Sequence, residues 1–306
     1  MSTQGRVVVS ETELFDHLAD ANVGEAEFGV LVNNNKISMK FHRGTQASLI
    51  VAFHGAVDRT KRKLPSFPAF IGQAVVQASQ LMIADPSLEQ SPTLTASWYL
   101  GHSGFELQRL LPPLLGNIIA TLGVSRSVFL GTSAGGFAAL YYSWHVPGSV
   151  AVALNPQTDL ARHYRRRLDE YREACWPNLT SAESLLSAVD CNLTTLYSKG
   201  FSNTVVYLQN SMDLFHMKVH FAPFLASIGK DFDRLITKVD FWGGFGHSHI
   251  PGSEWVRWVA ASLAAPTTST HDILAEYRKD RTTPSTFGEI SLQEDLEIAE
   301  RLNRVP

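Results

Sequence analysis

Apolar positions recur along this chain in two rhythms. Short unbroken blocks, Ser48–Phe53, Ser127–Leu130, Val150–Leu154 and Thr204–Gln209, have the length and branched content of strands covered on both faces. Leu107 to Leu122 instead places leucine and isoleucine on a helical period, just before the Ser127 block, as a crossover between parallel strands requires. Further strands are predicted over residues 80–84, where Asp85-Pro86 ends the run, and over Ile236–Gly243. Phe28–Val32 and Ile37–Phe41 bracket Asn33-Asn34-Asn35-Lys36, a hairpin turn, and residues 11–19 form a short helix capped by Ser10. The alternation predicts an α/β fold: a mainly parallel central sheet, helices on both faces and an antiparallel N-terminal edge.

The division that follows is an N-terminal extension over 1–27 and a core over 28–156 and 204–265. A helical cap insertion occupies 157–203 and a C-terminal tail 266–306. Within the tail a surface helix is expected over 289–303. The insertion carries the basic run Arg162-His163-Tyr164-Arg165-Arg166-Arg167. Asp169, Glu170 and Glu173 follow it, so a solvated helix face is the simpler reading, with an anionic substrate contact as the sharper one.

The chemistry enters at Gly131-Thr132-Ser133-Ala134-Gly135, a G-x-S-x-G set between a strand and the helix opening Phe137-Ala138-Ala139. A serine on a sharp strand-to-helix turn projects its hydroxyl above the sheet, and small neighbours let other backbone pass close by. The helix that follows aims its N-terminal end at the same point, where an oxyanion can be stabilised. Downstream, Asp213 lies just past the strand ending at Gln209, and His247 and His249 lie just past the strand ending at Gly243. Asp240 is the weaker acid candidate, because it sits inside an apolar strand pattern. Upstream, a strand runs into His54-Gly55-Ala56, a His-Gly loop suited to supply one oxyanion amide, from Ala56 or Gly55. Ala134, next after the serine, supplies the other.

With Ser, Asp and His in that order, each at a strand's C-terminal end, residues 28–265 resemble the α/β-hydrolase superfamily. Three phrases, GTSAGGFAALYYS, ALNPQTDL and YLQNSMDLFHMKVHFAPF, are similar to those of a bacterial hydrolase-like group associated with surface-polysaccharide and glycan pathways. Asp213, His216 and His220 match that group's D-x-x-H-x-x-x-H pattern, and GHSHIP resembles its Gly-His-rich motif. The resemblance implies a Ser133–Asp213–His247 triad, with His249 as the rival base.

Other residues are candidates for narrower roles. His216 and His220 lie four apart on one helical face, but the H-E-x-x-H glutamate is missing and no third ligand is evident, so a substrate or supporting role is preferred to zinc. His54 and Trp98 are read as bordering the cleft. No cofactor and no metal are expected.

Composition narrows the partners. A net charge of -3 argues against general nucleic-acid binding, and no apolar stretch approaches the length of a membrane span. Cys175 and Cys191 form neither a metal pattern nor a disulfide framework. Met1 to Leu14 lacks a signal-peptide pattern, so a cytoplasmic location is expected. The predicted activity is that of a serine esterase cleaving a small acyl ester, O-acyl groups on a glycan included. The alternatives are an acyltransferase to a sugar hydroxyl and a non-catalytic binding or assembly factor of the same fold.

Overall fold

A computed structural model describes residues 7–72, 75–229 and 231–279. Its centre is a nine-stranded sheet with spatial order β1-β2-β3-β5-β4-β6-β7-β8-β9. The strands are β1 (Val7–Ser10), β2 (Glu25–Val32), β3 (Asn35–His42), β4 (Gln46–Phe53), β5 (Ala78–Ile83), β6 (Arg126–Thr132), β7 (Val150–Leu154), β8 (Thr204–Asn210) and β9 (Leu235–Asp240). From β5 through β9 every pairing is parallel, and β3 is antiparallel to both β2 and β5.

The unbroken apolar blocks follow from coverage on both sides. Along β4, Leu49, Val51 and Phe53 enter one core and Ile50 and Ala52 the other. On β8, Val205 and Tyr207 divide from Val206 and Leu208 in the same way. Alternate side chains thus serve opposite faces, as the two-residue period of a strand demands. Helices α1 (Glu11–Ala19), α2 (Leu107–Thr121) and α3 (Ala134–Trp144) supply the first core. After them come α4 (Arg165–Cys175), α5 (Ala182–Ala188) and α6 (Leu193–Tyr197), then α7 (Leu214–His216), a π-helical turn over Met217–Phe221 and α8 (Ala222–Ser227). The second core lies under α9 (Gly252–Ala264) and α10 (Thr270–Lys279).

Several boundaries differ from the sequence expectation. The last strand stops at Asp240 rather than Gly243, because the Trp242 amide turns to bond Asn210 Oδ1 (3.2 Å) and Phe241 is exposed. The N-terminal extension adds β1, paired in parallel with β2, and then α1, whose Ser10 and Glu13 form a reciprocal capping box. The hairpin turn is tight: Val32 pairs with Asn35, and Asn33 and Asn34 both adopt left-handed φ, 48° and 63°. In the tail, Tyr277 of α10 stacks on Trp258 of α9 with ring centroids 3.7 Å apart. The helix expected over 289–303 lies outside the described residues.

Residues 157–203 carry α4, α5 and α6 joined by non-helical stretches, and Arg165, Arg166 and Arg167 of the basic run are paired within α4. Arg165 bonds Asp169, and Arg166 and Arg167 both bond Glu170, at i,i+3 and i,i+4 spacing. Pairing of this kind favours the solvated-face reading. Among the described residues no helix is long and apolar enough to cross a membrane.

Candidate active site

Ser133 stands at the junction of β6 and α3 with φ 54° and ψ -115°, a conformation that non-glycine residues seldom adopt. The turn is held on every side. The Ser133 amide donates to the Leu154 carbonyl of β7 (2.8 Å), and its carbonyl accepts from the Phe137 amide (3.1 Å). Glycine is required around it: a Cβ on Gly131 would lie 2.0 Å from the Gly135 carbonyl oxygen, and one on Gly135 would lie 2.5 Å from that of Phe53. The G-x-S-x-G spacing is therefore a packing requirement of this turn.

The His54–Ala56 loop follows β4, the strand beside β6, and passes directly over the elbow. A Cβ on Gly55 would sit 3.7 Å from Ser133 Cβ. His54 is buried and both ring nitrogens meet backbone: Nε2 accepts from the Asp85 amide (3.1 Å), and Nδ1 faces the Gly55 carbonyl (2.7 Å). An acceptor at Nε2 puts the imidazole proton on Nδ1, so that nitrogen donates to Gly55. His54, expected at the cleft, thus meets loop backbone through both ring nitrogens.

Asp213 caps the helical segment after β8, accepting from the His216 amide (3.0 Å). His247 Nδ1 lies 2.8 Å from Asp213 Oδ2 in a directed hydrogen bond. His216 Nδ1 lies equally close, at 2.8 Å, but out of line for a hydrogen bond, so both of its nitrogens are buried and unpartnered. The His216 and His247 rings stack at 4.1 Å. Burial alone would raise the Asp213 carboxyl, but its contacts with His216 and His247 outweigh that and hold it well below the usual carboxylate range. His249 lies two residues beyond His247, half-buried.

Residues that pattern reading passed over fix the His247 loop. Asn210 Nδ2 donates to the carbonyls of Gly244 and Gly246 (3.0 Å each). Asn155 Nδ2 donates to Ser248 (2.8 Å), while Asn155 Oδ1 accepts from the Asn210 amide (2.7 Å). Both asparagines are buried at strand ends, and Asn155 has left-handed φ, 42°. Their available signal was position: a carboxamide immediately after an apolar strand whose neighbours carry the candidate catalytic groups.

Gln157, two residues on, was missed for the same reason. Its Nε2 donates to Ser133 Oγ (3.0 Å), and its Oε1 accepts from the Trp98 indole. Trp98, expected at the cleft, is buried with left-handed φ at 50° and its indole N–H is bonded to Gln157.

The remaining histidines form a buried chain. His220 Nδ1 accepts from the amides of Thr158 (3.2 Å) and Asp159 (3.4 Å), which puts its proton on Nε2, 3.2 Å from His163 Nδ1. His163, His216 and His220 bring ligand atoms within 4.8 Å of one another, a metal-like grouping. The donor set does not fit one: a liganding histidine turns a lone pair to the ion and its other N–H outward, the reverse of His220. Burial first, then neighbouring histidines, pushes His216 down to about 4, His163 to about 3 and His220 to about 2. His216 and His220 are buried, which favours the supporting role over the substrate contact among the two expected of them.

Ser133 follows the central parallel strand β6, Asp213 follows β8 and His247 follows β9, and the chain superposes on solved esterase structures. The fold is that of the α/β-hydrolases. A Pyrobaculum calidifontis esterase superposes at TM-score 0.52 with 13% identity, over 83% of this chain and 89% of that one. A Pyrococcus furiosus esterase does so at 0.50 with 13% identity, over 78% and 89%. A capsule O-acetyltransferase of Neisseria meningitidis serogroup A reaches 0.45 with 14% identity, over 86% and 96%. No family model matches the chain, and no curated protein sequence does.

Proposed function

We propose that the protein is a serine esterase that cleaves a small acyl ester through an acyl-enzyme on Ser133. The observation that carries this reading is the Asp213–His247 hydrogen bond, 2.8 Å long, at the same sheet end as a serine held in left-handed φ. A serine hydroxyl is a poor nucleophile and needs an adjacent base, for which a histidine oriented by a buried carboxylate is suited. The carboxylate holds the His247 proton on Nδ1, leaving Nε2 to accept from Ser133.

In the proposed sequence Ser133 Oγ attacks the ester carbonyl as His247 takes its proton. The carbonyl oxygen, now anionic, is received by the amides of Ala134 and of Ala56 or Gly55. Each such donor contributes about 3 kcal/mol in comparable sites. The alcohol leaves with the proton from His247. Water then attacks the acyl-enzyme, with His247 again the base, and the acid departs. His247 is preferred to His249 because its Nδ1 meets Asp213 Oδ2. The glycan ester suggested by the motif resemblance is the substrate class to test first.

The test is turnover of p-nitrophenyl acetate, and of an acetylated glycan, by wild type, Ser133→Ala and His247→Ala. Hydrolysis that falls by roughly 10⁴-fold or more in both variants is expected. Wild-type turnover that persists in Ser133→Ala would place the chemistry elsewhere.

A further inference from the structure

Ser133 Oγ accepts a hydrogen bond from the Gln157 side chain, and the orientation of that side chain is fixed. An indole N–H can only donate, so the Gln157 oxygen must face Trp98 and its NH₂ must face Ser133. Trp98 is not free to turn away. It and Tyr99 both hold left-handed φ, 50° and 58°. That conformation is locked by the Tyr99 amide on Asp85 (2.8 Å), the Tyr142 hydroxyl on the Tyr99 carbonyl (2.7 Å) and the Tyr99 hydroxyl on Ile83 (2.8 Å). Strain so heavily constrained serves to aim a group. The Gln157 amide also reaches the Ser133 carbonyl (3.4 Å), so side chain and backbone meet the same residue.

The sheet order separates this donor from the oxyanion loop. The loop follows β4 and Gln157 follows β7, on opposite sides of β6. The loop amides are therefore disposed toward a carbonyl oxygen and the Gln157 amide toward Oγ itself. We infer that Gln157 is a catalytic residue whose carboxamide stabilises Ser133 Oγ as the leaving atom when the acyl-enzyme is resolved. This rests on the reading that Ser133 is acylated.

The step balances simply. Water adds to the acyl carbon, giving its proton to His247; the acyl carbon–Oγ bond then breaks, and Oγ takes that proton as the acid leaves. An ester Oγ is a weak acceptor, whereas the departing Oγ carries negative charge, so the Gln157 bond strengthens between acyl-enzyme and transition state. In acylation the starting hydroxyl is already a good acceptor, and the bond changes less. Removing the donor should slow the second step selectively.

The experiment is a rapid-mixing time course of p-nitrophenyl acetate with wild type, Gln157→Ala and Gln157→Glu. Gln157→Ala should keep acylation, and hence kcat/KM, within about threefold while deacylation and kcat fall roughly 10- to 100-fold, with KM falling in parallel. Acetylated enzyme should accumulate, seen by intact mass. Gln157→Glu keeps the side-chain size and the Trp98 bond but sets a carboxylate against Oγ, so it should deacylate at least as slowly; it answers the question if truncation to alanine disturbs folding. Equal loss in both steps, or deacylation at the wild-type rate in either variant, overturns the inference alone. A wild type with no burst and no turnover instead overturns the esterase reading, and the inference with it.

Discussion

At the scale of single residues, the site depends on groups whose protonation and orientation are set by backbone. His54, His220 and Gln157 each face a group that can only donate: the Asp85 amide, the Thr158 and Asp159 amides, and the Trp98 indole. Each therefore has one allowed tautomer or flip. Asp213 differs, being an acceptor approached by two imidazoles at 2.8 Å. Replacing it with asparagine keeps the shape but removes the charge that stabilises a cationic His247. Asp213→Asn should lower kcat for an ester by roughly 10⁴-fold at neutral pH with little change in KM, as steady-state kinetics would report. A loss confined to KM would make Asp213 a binding group.

At the scale of elements, the strand ends do most of the positioning. β7 delivers Asn155 and Gln157, β8 delivers Asn210 and Asp213, and the loop after β9 delivers His247. Asn210→Ala removes two bonds to the Gly244–Gly246 backbone. Loss of these half-buried bonds should cost roughly 1–2 kcal/mol in urea unfolding, and kcat should fall about 10-fold or more as His247 loses its register. Wild-type kinetics in this variant would mean the loop is held by other contacts.

The same elements show what could be read from sequence. The parallel strands, α2, the hairpin and the elbow are local patterns of period and turn chemistry, so they were legible. The strand-end positions of Ser133, Asp213 and His247 were legible by order along the chain. Gln157, Asn155 and His163 were not, because a carboxamide or imidazole after a strand has no period of its own; only tertiary neighbours separate it from an ordinary loop residue. That His54, Trp98, His216 and His220 are buried was not legible for the converse reason: adjacency in sequence to a cleft does not reveal that a side chain turns inward.

At the scale of the whole molecule, several buried histidines make stability depend on pH. His163, His216 and His220 have folded values of about 3, 4 and 2, below the ordinary value near 6.5, and burial lowers His42, His102 and His145 in the same direction. The unfolded chain thus takes up protons below about pH 6.5 that the folded chain refuses, and stability falls as pH falls. Asp85 opposes this: burial pushes it up to about 6, so the folded state binds its proton before the unfolded carboxyl does. The lowered histidines outnumber this one aspartate, so the net effect is a loss of stability as pH falls below about 6. Below about pH 4, protonation of Asp213 in the unfolded chain adds to the loss. Urea unfolding at pH 7, 5.5 and 4.5 should show a midpoint that drops sharply; a flat profile would mean these histidines are solvated in the fold.

The central claim is that Ser133 is the nucleophile, activated by the Asp213-oriented His247. Its most direct measurement is labelling with a fluorophosphonate, which captures an activated serine whatever the natural ester, followed by peptide mapping. One adduct is expected, on Ser133, with labelling lost in Ser133→Ala and slowed by orders of magnitude in His247→Ala. An unlabelled Ser133 in the folded wild type, or an equal rate in His247→Ala, would contradict it.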